Sequence, residues 1–389
     1  MTSFLCIIFL ALGALAAWAF RYLERSREAL WFYLFALASV PRIPFLFLQN
    51  GHGDADNSVE AVRRWFATGL YRQRWPGVVL YDALLGGMDR TAAWLDVPYF
   101  YLTNPFSVVC VFFTLLFLFI EFRRVLGFRF ALIGVFLFNF YPQELVIGGA
   151  TYELSFLVAL LAASWWAYGT GRIRTALVIS ILALGAKLLA VALVIPLTGI
   201  LLIRDFAARK WAQMLAHFVG AVLLSALMYL PRFLGGMTDF IEPLTGKPLY
   251  HADLTRYTKL GAFLLRTGNL LGPLGVVLLV ALLFVHRSRL PSWKSETGVL
   301  AYSYTFFLLA IMFTGPWEAY YLLPLVPLAF FVVLWLGTPR WAVVLFFVSA
   351  LLGNVVQVQF KPWKLPPGAV HDGTIRAHLD RNWVTRGGG

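Results

Sequence analysis

The sequence predicts an all-α polytopic membrane protein. Of the 389 residues 60% are hydrophobic and only 13% charged, about half the charged share of an ordinary soluble domain. Apolar stretches of about 17 to 25 residues, long enough to cross the hydrocarbon layer as helices, recur from end to end. Basic residues border those stretches, so the net charge of +13 suits lipid headgroups and implies no nucleic-acid partner. The first run, Phe4 to Phe20, opens a series of similar runs and reads as a span, not as a cleaved signal peptide. Cys6 and Cys110 lie inside apolar runs, where a thiol behaves as a small hydrophobe.

About twelve spans are expected, over approximately residues 3–20, 29–49, 105–121, 130–142, 153–169, 175–186, 188–203, 211–231, 260–286, 297–315, 320–337 and 341–359. The stretch from Thr175 to Ile203, whose single charge is Lys187, admits one long helix or two shorter ones. Two helices are preferred because they gather six short basic turns on one side: Arg21, Arg25 and Arg27; Arg123, Arg124 and Arg129; Arg172 and Arg174; Arg204, Arg209 and Lys210; Arg287, Arg289 and Lys294; and Arg340. The other side carries as many bases, spread over long segments, and clusters packed close to span ends are the ones that resist translocation. The six turns are therefore expected in the cytoplasm, with both termini and fourteen of the nineteen acidic residues outside. Residues 1–359 then form one membrane domain, with an outer loop over 50–104, and 360–389 a short extracytoplasmic tail.

Within that outer loop, Asn57 and Glu60 have capping-box spacing and Gly69 suits a helix end. Val59, Val62, Phe66 and Leu70 recur at helical spacing, the pattern of a short helix lying in the bilayer surface. Asp54 and Asp56 fall just ahead of its N-terminus, where the helix dipole favours ionised carboxylates. In an extended loop alternate side chains share one side, so the pair offers oxygen ligands to a possible divalent cation, Mg²⁺ or Mn²⁺. The plainer alternative is two solvated loop acids, one of them capping the helix.

An acidic pair closing the first large outer loop, a surface helix after it, and an aromatic-proline segment (Tyr71 to Tyr81, with Trp75-Pro76-Gly77) together resemble the C-type (GT-C) membrane glycosyltransferases. Three further stretches carry the resemblance: Gln143-Glu144 to Tyr152-Glu153, Leu184-Gly185-Ala186-Lys187-Leu188, and Tyr320-Tyr321-Leu322-Leu323-Pro324-Leu325-Val326-Pro327. By layout it covers most of the chain, and by residue only these short motifs. Pro76-Gly77 stands where family members often have Pro-Pro, and Tyr320-Tyr321 where they often have Arg-Tyr.

The resemblance implies a GT-C-like bundle and transfer of a monosaccharide, mannose or another hexose, from a polyprenyl-phosphate donor to a glycolipid, cell-envelope glycan or protein acceptor. Asp54 would serve as general base, with Asp56 as metal ligand or orienting carboxylate, two assignments that are interchangeable. Attack opposite the phosphate would invert the anomeric centre. Lys187 is expected on a donor phosphate oxygen, or else as a snorkelling helix-end lysine. Arg256 and Lys259 are weaker phosphate candidates that also suit headgroups. Glu144 and Glu153 flank a glycine-containing hairpin suited to acceptor binding or to a metal, or are solvated loop acids. Glu318, Tyr320 and Tyr321 are sugar-binding candidates, although such aromatics also form interfacial belts. Arg42, enclosed by Val40-Pro41 and Ile43-Pro44, is expected to pair with Asp54 or Asp56, because an unpaired charge there is costly. His52, His251 and His371 lack metal-ligand spacing.

Nucleotide sugars are made in the cytoplasm, so carboxylates on the far face require a sugar already carried across on lipid. The chain has no nucleotide-binding glycine loop, and no nucleotide cofactor is expected. The expected location is a bacterial inner membrane with the site facing the periplasm or exterior. The alternative class is a lipid or solute transporter or flippase, which usually places polar or broken-helix sites at the bilayer midplane.

Overall fold

The computed structural model describes residues 2–47, 53–71, 79–235, 268, 270–314, 319–337, 339–353, 356–360 and 375–379. The chain opens with α1 (Thr2–Arg25) and α2 (Arg27–Ser39), separated by Ser26, whose hydroxyl caps α2 by accepting from the Ala29 amide. A 3₁₀ turn at Pro41 and the one-turn α3 (Ile43–Leu46) complete that crossing. Next come α4 (Gly53–Thr68), α5 (Val79–Trp94), α6 (Phe100–Leu126), α7 (Phe128–Asn139), the short α8 (Pro142–Ile147) and α9 (Glu153–Gly169). They are followed by α10 (Ile173–Leu184), α11 (Val191–Ala207) and α12 (Trp211–Leu234), and then α13 (Pro273–Val285), α14 (Glu296–Thr314), α15 (Val326–Leu336) and α16 (Arg340–Gly353).

Five described helices are long and apolar enough to cross a membrane: Phe4–Arg25, Arg27–Leu46, Phe100–Leu126, Leu188–Ala207 and Trp211–Pro231. Shorter apolar helices accompany them, α9 and α10 among them. Helices are what a lipid-embedded chain is restricted to, since hydrocarbon satisfies no backbone polar group. The peripheral helices expose large apolar side chains, such as Leu10 and Trp18 on α1 and Leu215, Phe218 and Leu223 on α12. These surfaces are compatible with an integral membrane protein.

The stretch between Thr175 and Ile203 is two helices. Helix α10 stops at Leu184, Gly185–Lys187 leave the helical path, and a 3₁₀ turn over Leu188–Ala190 leads into α11. The resulting zigzag brings the basic turns together. Arg129 lies over the Phe20 ring, the Arg124 guanidinium donates to the Gly169 carbonyl, Tyr168 meets Thr297 and Arg204 makes a bidentate pair with Glu296. At the opposite end meet the last residues of α2, α7 and α10 and the first of α5 and α9.

Between the two ends the core is built on α6, α7, α9, α10, α11 and α15. Ala159, Ala162, Ala163 and Ala167 let neighbouring backbones approach α9 closely, and the Ser164 hydroxyl crosses to the Ala176 carbonyl at 2.8 Å.

Three expectations are corrected. The surface helix begins at Gly53, so Asp54 and Asp56 stand in its first turn and Asn57 is inside it. Part of the 50–104 loop is the helix α5. The last apolar run leaves the helix after Gly353, short of the expected 359, and β1 (Val356–Phe360) pairs antiparallel with β2 (Ile375–Leu379). Val356, Val358 and Phe360 alternate there with Gln357 and Gln359, a period of two that suits a strand.

Helix α13 is set against α16 at Gly272, which has φ 72°, and by the Gly275 amide donating to the Ser349 hydroxyl at 2.8 Å. A Cβ at position 272 would meet the Ser349 hydroxyl and carbonyl inside contact distance. Gly272→Ala is expected to cost about 2 to 4 kcal/mol, combining left-handed strain and overpacking. A fall in the thermal midpoint of the detergent-solubilised protein checks it, and an unchanged midpoint contradicts this packing.

Candidate functional site

The end of the bundle opposite the basic turns holds a cluster of buried charges. The 3₁₀ turn at Pro41 swings Arg42 back into the protein, where it is 0% exposed. Its guanidinium donates to the Ala38 carbonyl (2.9 Å), to Asn139 Oδ1 (2.7 Å) and to the Glu144 carbonyl (3.1 Å). The Glu144 carboxylate lies 3.9 Å away and is 1% exposed. Asn139 in turn donates to the Leu37 carbonyl, so the ends of α2 and α7 and the start of α8 are tied by one side chain. The expected pairing of Arg42 with Asp54 or Asp56 is thus replaced by Glu144 and Asn139, because the bend aims the guanidinium across the bundle. Gly148 is where the hairpin passes Arg42: a Cβ there would sit 2.6 Å from its Nε.

Glu153, at the first turn of α9, receives a 2.5 Å hydrogen bond from Lys187 Nζ. Both are nearly buried, at 6% and 3% exposed, and Lys187 also lies over the Tyr152 ring. Lys187 therefore does not snorkel, and neither Glu153 nor Glu144 is a solvated loop acid. Burial pushes the Glu144 carboxyl up to about 7 against the opposing pull of Arg42. Neither of its oxygens has a hydrogen-bond partner among the described residues.

Helices α4 and α5 form a hairpin over this end. Arg63 makes a bidentate pair with Asp89 (2.7 and 2.9 Å), and Gly86 admits Val62 and Phe66 so closely that any side chain there would collide with them. Tyr71 donates to the buried Asp82 at 2.5 Å. The first turn of α5 is fastened to the helix break that carries Lys187: the Leu80 and Tyr81 amides donate to the Gly185 carbonyl at 2.7 and 3.3 Å. Tyr81 is buried close enough to Glu153 to feel its charge, and its hydroxyl has no hydrogen-bond partner among the described residues. A second polar seam joins the α6 start to the hairpin before α9, with Thr103 to Thr151 at 2.5 Å, Thr151 to Asn104 at 2.8 Å and Asn104 to the Phe45 carbonyl at 3.0 Å.

Four predicted site residues are thus brought to one end, as two ion pairs: Arg42 with Glu144, and Lys187 with Glu153. Asp54 and Asp56 are described in backbone only. Tyr320 and Tyr321 stand in the 3₁₀ run Ala319–Leu325, their side chains outside the described set. Arg256, Lys259, Glu318, His52, His251, His371 and the Trp75-Pro76-Gly77 segment lie outside the described residues.

Sequence reasoning missed Asn139, Tyr81, Asp82 and Asp89. The buried side of α5 includes Asp82, Leu85, Gly86, Asp89 and Ala92. Their spacing is helical, but three of the five are acidic or glycine, which hides the apolar stripe. No family model, curated protein or solved structure matches the chain.

Removing one member of a buried ion pair strands the other, at a cost of about 3 to 5 kcal/mol. Lys187→Met is expected to destabilise by that order, and Lys187→Met with Glu153→Gln to recover most of the loss. Unfolding of the solubilised variants checks this, and simple additivity of the two single changes would show that the pair is uncoupled.

Proposed function

We propose that the chain is a GT-C-like membrane glycosyltransferase of about twelve spans, which moves one monosaccharide from a polyprenyl-phosphate donor to a glycan, lipid or protein acceptor, with inversion. The observation that carries the reading is the fastening of the α4–α5 hairpin to the break at Gly185–Lys187. It brings the helix bearing Asp54 and Asp56 and the break bearing Lys187 into one assembly at one end of the bundle. In this reading Lys187, held by Glu153, receives the donor phosphate as the glycosidic oxygen leaves. Asp54 takes the proton of the acceptor hydroxyl, and Asp56 orients the acceptor or the base. Most of the acceleration comes from charges fixed in a site shielded from water. Glu144 and Arg42 shape the acceptor side, Glu318, Tyr320 and Tyr321 contact sugar, and Arg256 and Lys259 assist the phosphate. The site faces away from the cytoplasm, in a bacterial inner membrane, and the donor arrives already translocated on its lipid.

A flippase or transporter is the second reading, favoured by the break in the α10–α11 path beside buried charges. The two separate in proteoliposomes containing a polyprenyl-phosphate hexose and an acceptor extract. We expect glycosidic product from the wild type, at least a hundredfold less from Asp54→Asn, the scale of a lost general base, and little from the folded double variant lacking both Lys187 and Glu153 charges. A chelator control reports on a divalent cation held by either aspartate. Lipid movement without product would favour the transporter, and full activity of Asp54→Asn and Asp56→Asn would overturn this site.

A further inference from the structure

Away from the charge cluster, a cavity of about 1220 Å³ runs between α6, α9, α13, α14 and α15. It exceeds the volumes of roughly 300 to 1,000 Å³ that hold ordinary small ligands. Its wall is apolar for most of its length, with Phe122, Leu161, Leu283 and Phe331 among the lining residues. It extends from Leu270 and Leu322 to Arg124, Arg204 and Arg289 at the basic end. The charges at that mouth are unevenly balanced. Arg124 is engaged by Glu121, and Arg204 by Glu296. Arg289, exposed on the 3₁₀ turn Arg287–Arg289, makes no side-chain hydrogen bond or ion pair with a described residue. An apolar shaft with a net positive mouth matches one class of occupant, a chain-bearing lipid with an anionic head, and basic pockets between membrane helices take such headgroups.

We infer that this cavity is a binding site for an anionic membrane glycerophospholipid, its acyl chain in the shaft and its phosphate at Arg289 beside Arg204 and Arg124. The site is separate from the Lys187 cluster, none of whose charged residues lines the cavity, and it stands whether or not the chain transfers sugar. The lipid fills a space that the described side chains leave open between α9 and α14.

The test uses the full chain, reconstituted in vesicles of equal phosphatidylglycerol and phosphatidylcholine, then extracted in mild detergent and weighed intact by native mass spectrometry. The wild type is expected to retain one phosphatidylglycerol in preference to phosphatidylcholine. Arg289→Gln is expected to lower that preference about fivefold, the effect of one basic residue at an anionic lipid surface. Ala301→Trp, which places an indole in the cavity, is expected to abolish retention with helix content unchanged. If that variant fails to fold, Arg289→Gln decides alone, because its side chain is exposed and pairs with no described residue. Equal retention of the two lipids by the wild type, or retention by Arg289→Gln equal to that of the wild type, would overturn the assignment. So would recovery of polyprenyl phosphate in place of glycerophospholipid from protein extracted from native membranes.

Discussion

The ion pair between Lys187 and Glu153 is the contact on which the arrangement of this chain turns. An apolar helix does not end inside a bundle without cost, since each carbonyl it frees needs a donor. At Leu184 that need is met from several sides. The Leu80 and Tyr81 amides take the Gly185 carbonyl, the Tyr229 hydroxyl takes the Leu184 carbonyl at 3.1 Å, and Lys187 turns inward to Glu153. Because the break is satisfied, the chain reverses there, and the basic turns on either side of it come to one end of the bundle. Because it is satisfied partly by α5, the α4–α5 hairpin is fixed over the same spot.

Arg42 does comparable work on the neighbouring helices. A guanidinium presents five donors in a rigid fork, and here two carbonyls and one side-chain amide take three hydrogen bonds from it, with the Glu144 carboxylate supplying charge. The two ion pairs differ in completeness. Lys187 and Glu153 are in direct contact, whereas Glu144 stands off from Arg42 with neither oxygen hydrogen-bonded to a described residue, and burial raises its carboxyl to about 7.

Legibility in the sequence followed the balance between burial and pattern. Lys187 and Arg42 stand out as single charges in apolar runs, and the cost of burying a charge there is itself an argument for a partner. Glu144 and Glu153 are conspicuous by position, but nothing local distinguishes a buried carboxylate from a solvated one, and their pairing depends on helices over thirty residues apart. The helix α5 is hidden because Asp82 and Asp89 occupy its inward face, satisfied by Tyr71 and Arg63 from outside the segment. The start of α4 is misjudged because Asn57 and Glu60 mimic a cap four residues late, and the ribbon after Gly353 because an apolar run ending in alternation still reads as a span.

The proposed function rests on sidedness: the α4 aspartates would work on the face away from the nucleotide pool, and a lipid-carried sugar would then be the required donor. Asp54→Cys, in a background with Cys6 and Cys110 replaced by alanine, reacts with a membrane-impermeant maleimide either in intact cells or only after the membrane is opened. Labelling of intact cells is the expected result. Reaction confined to opened cells would put the aspartates in the cytoplasm and contradict the account.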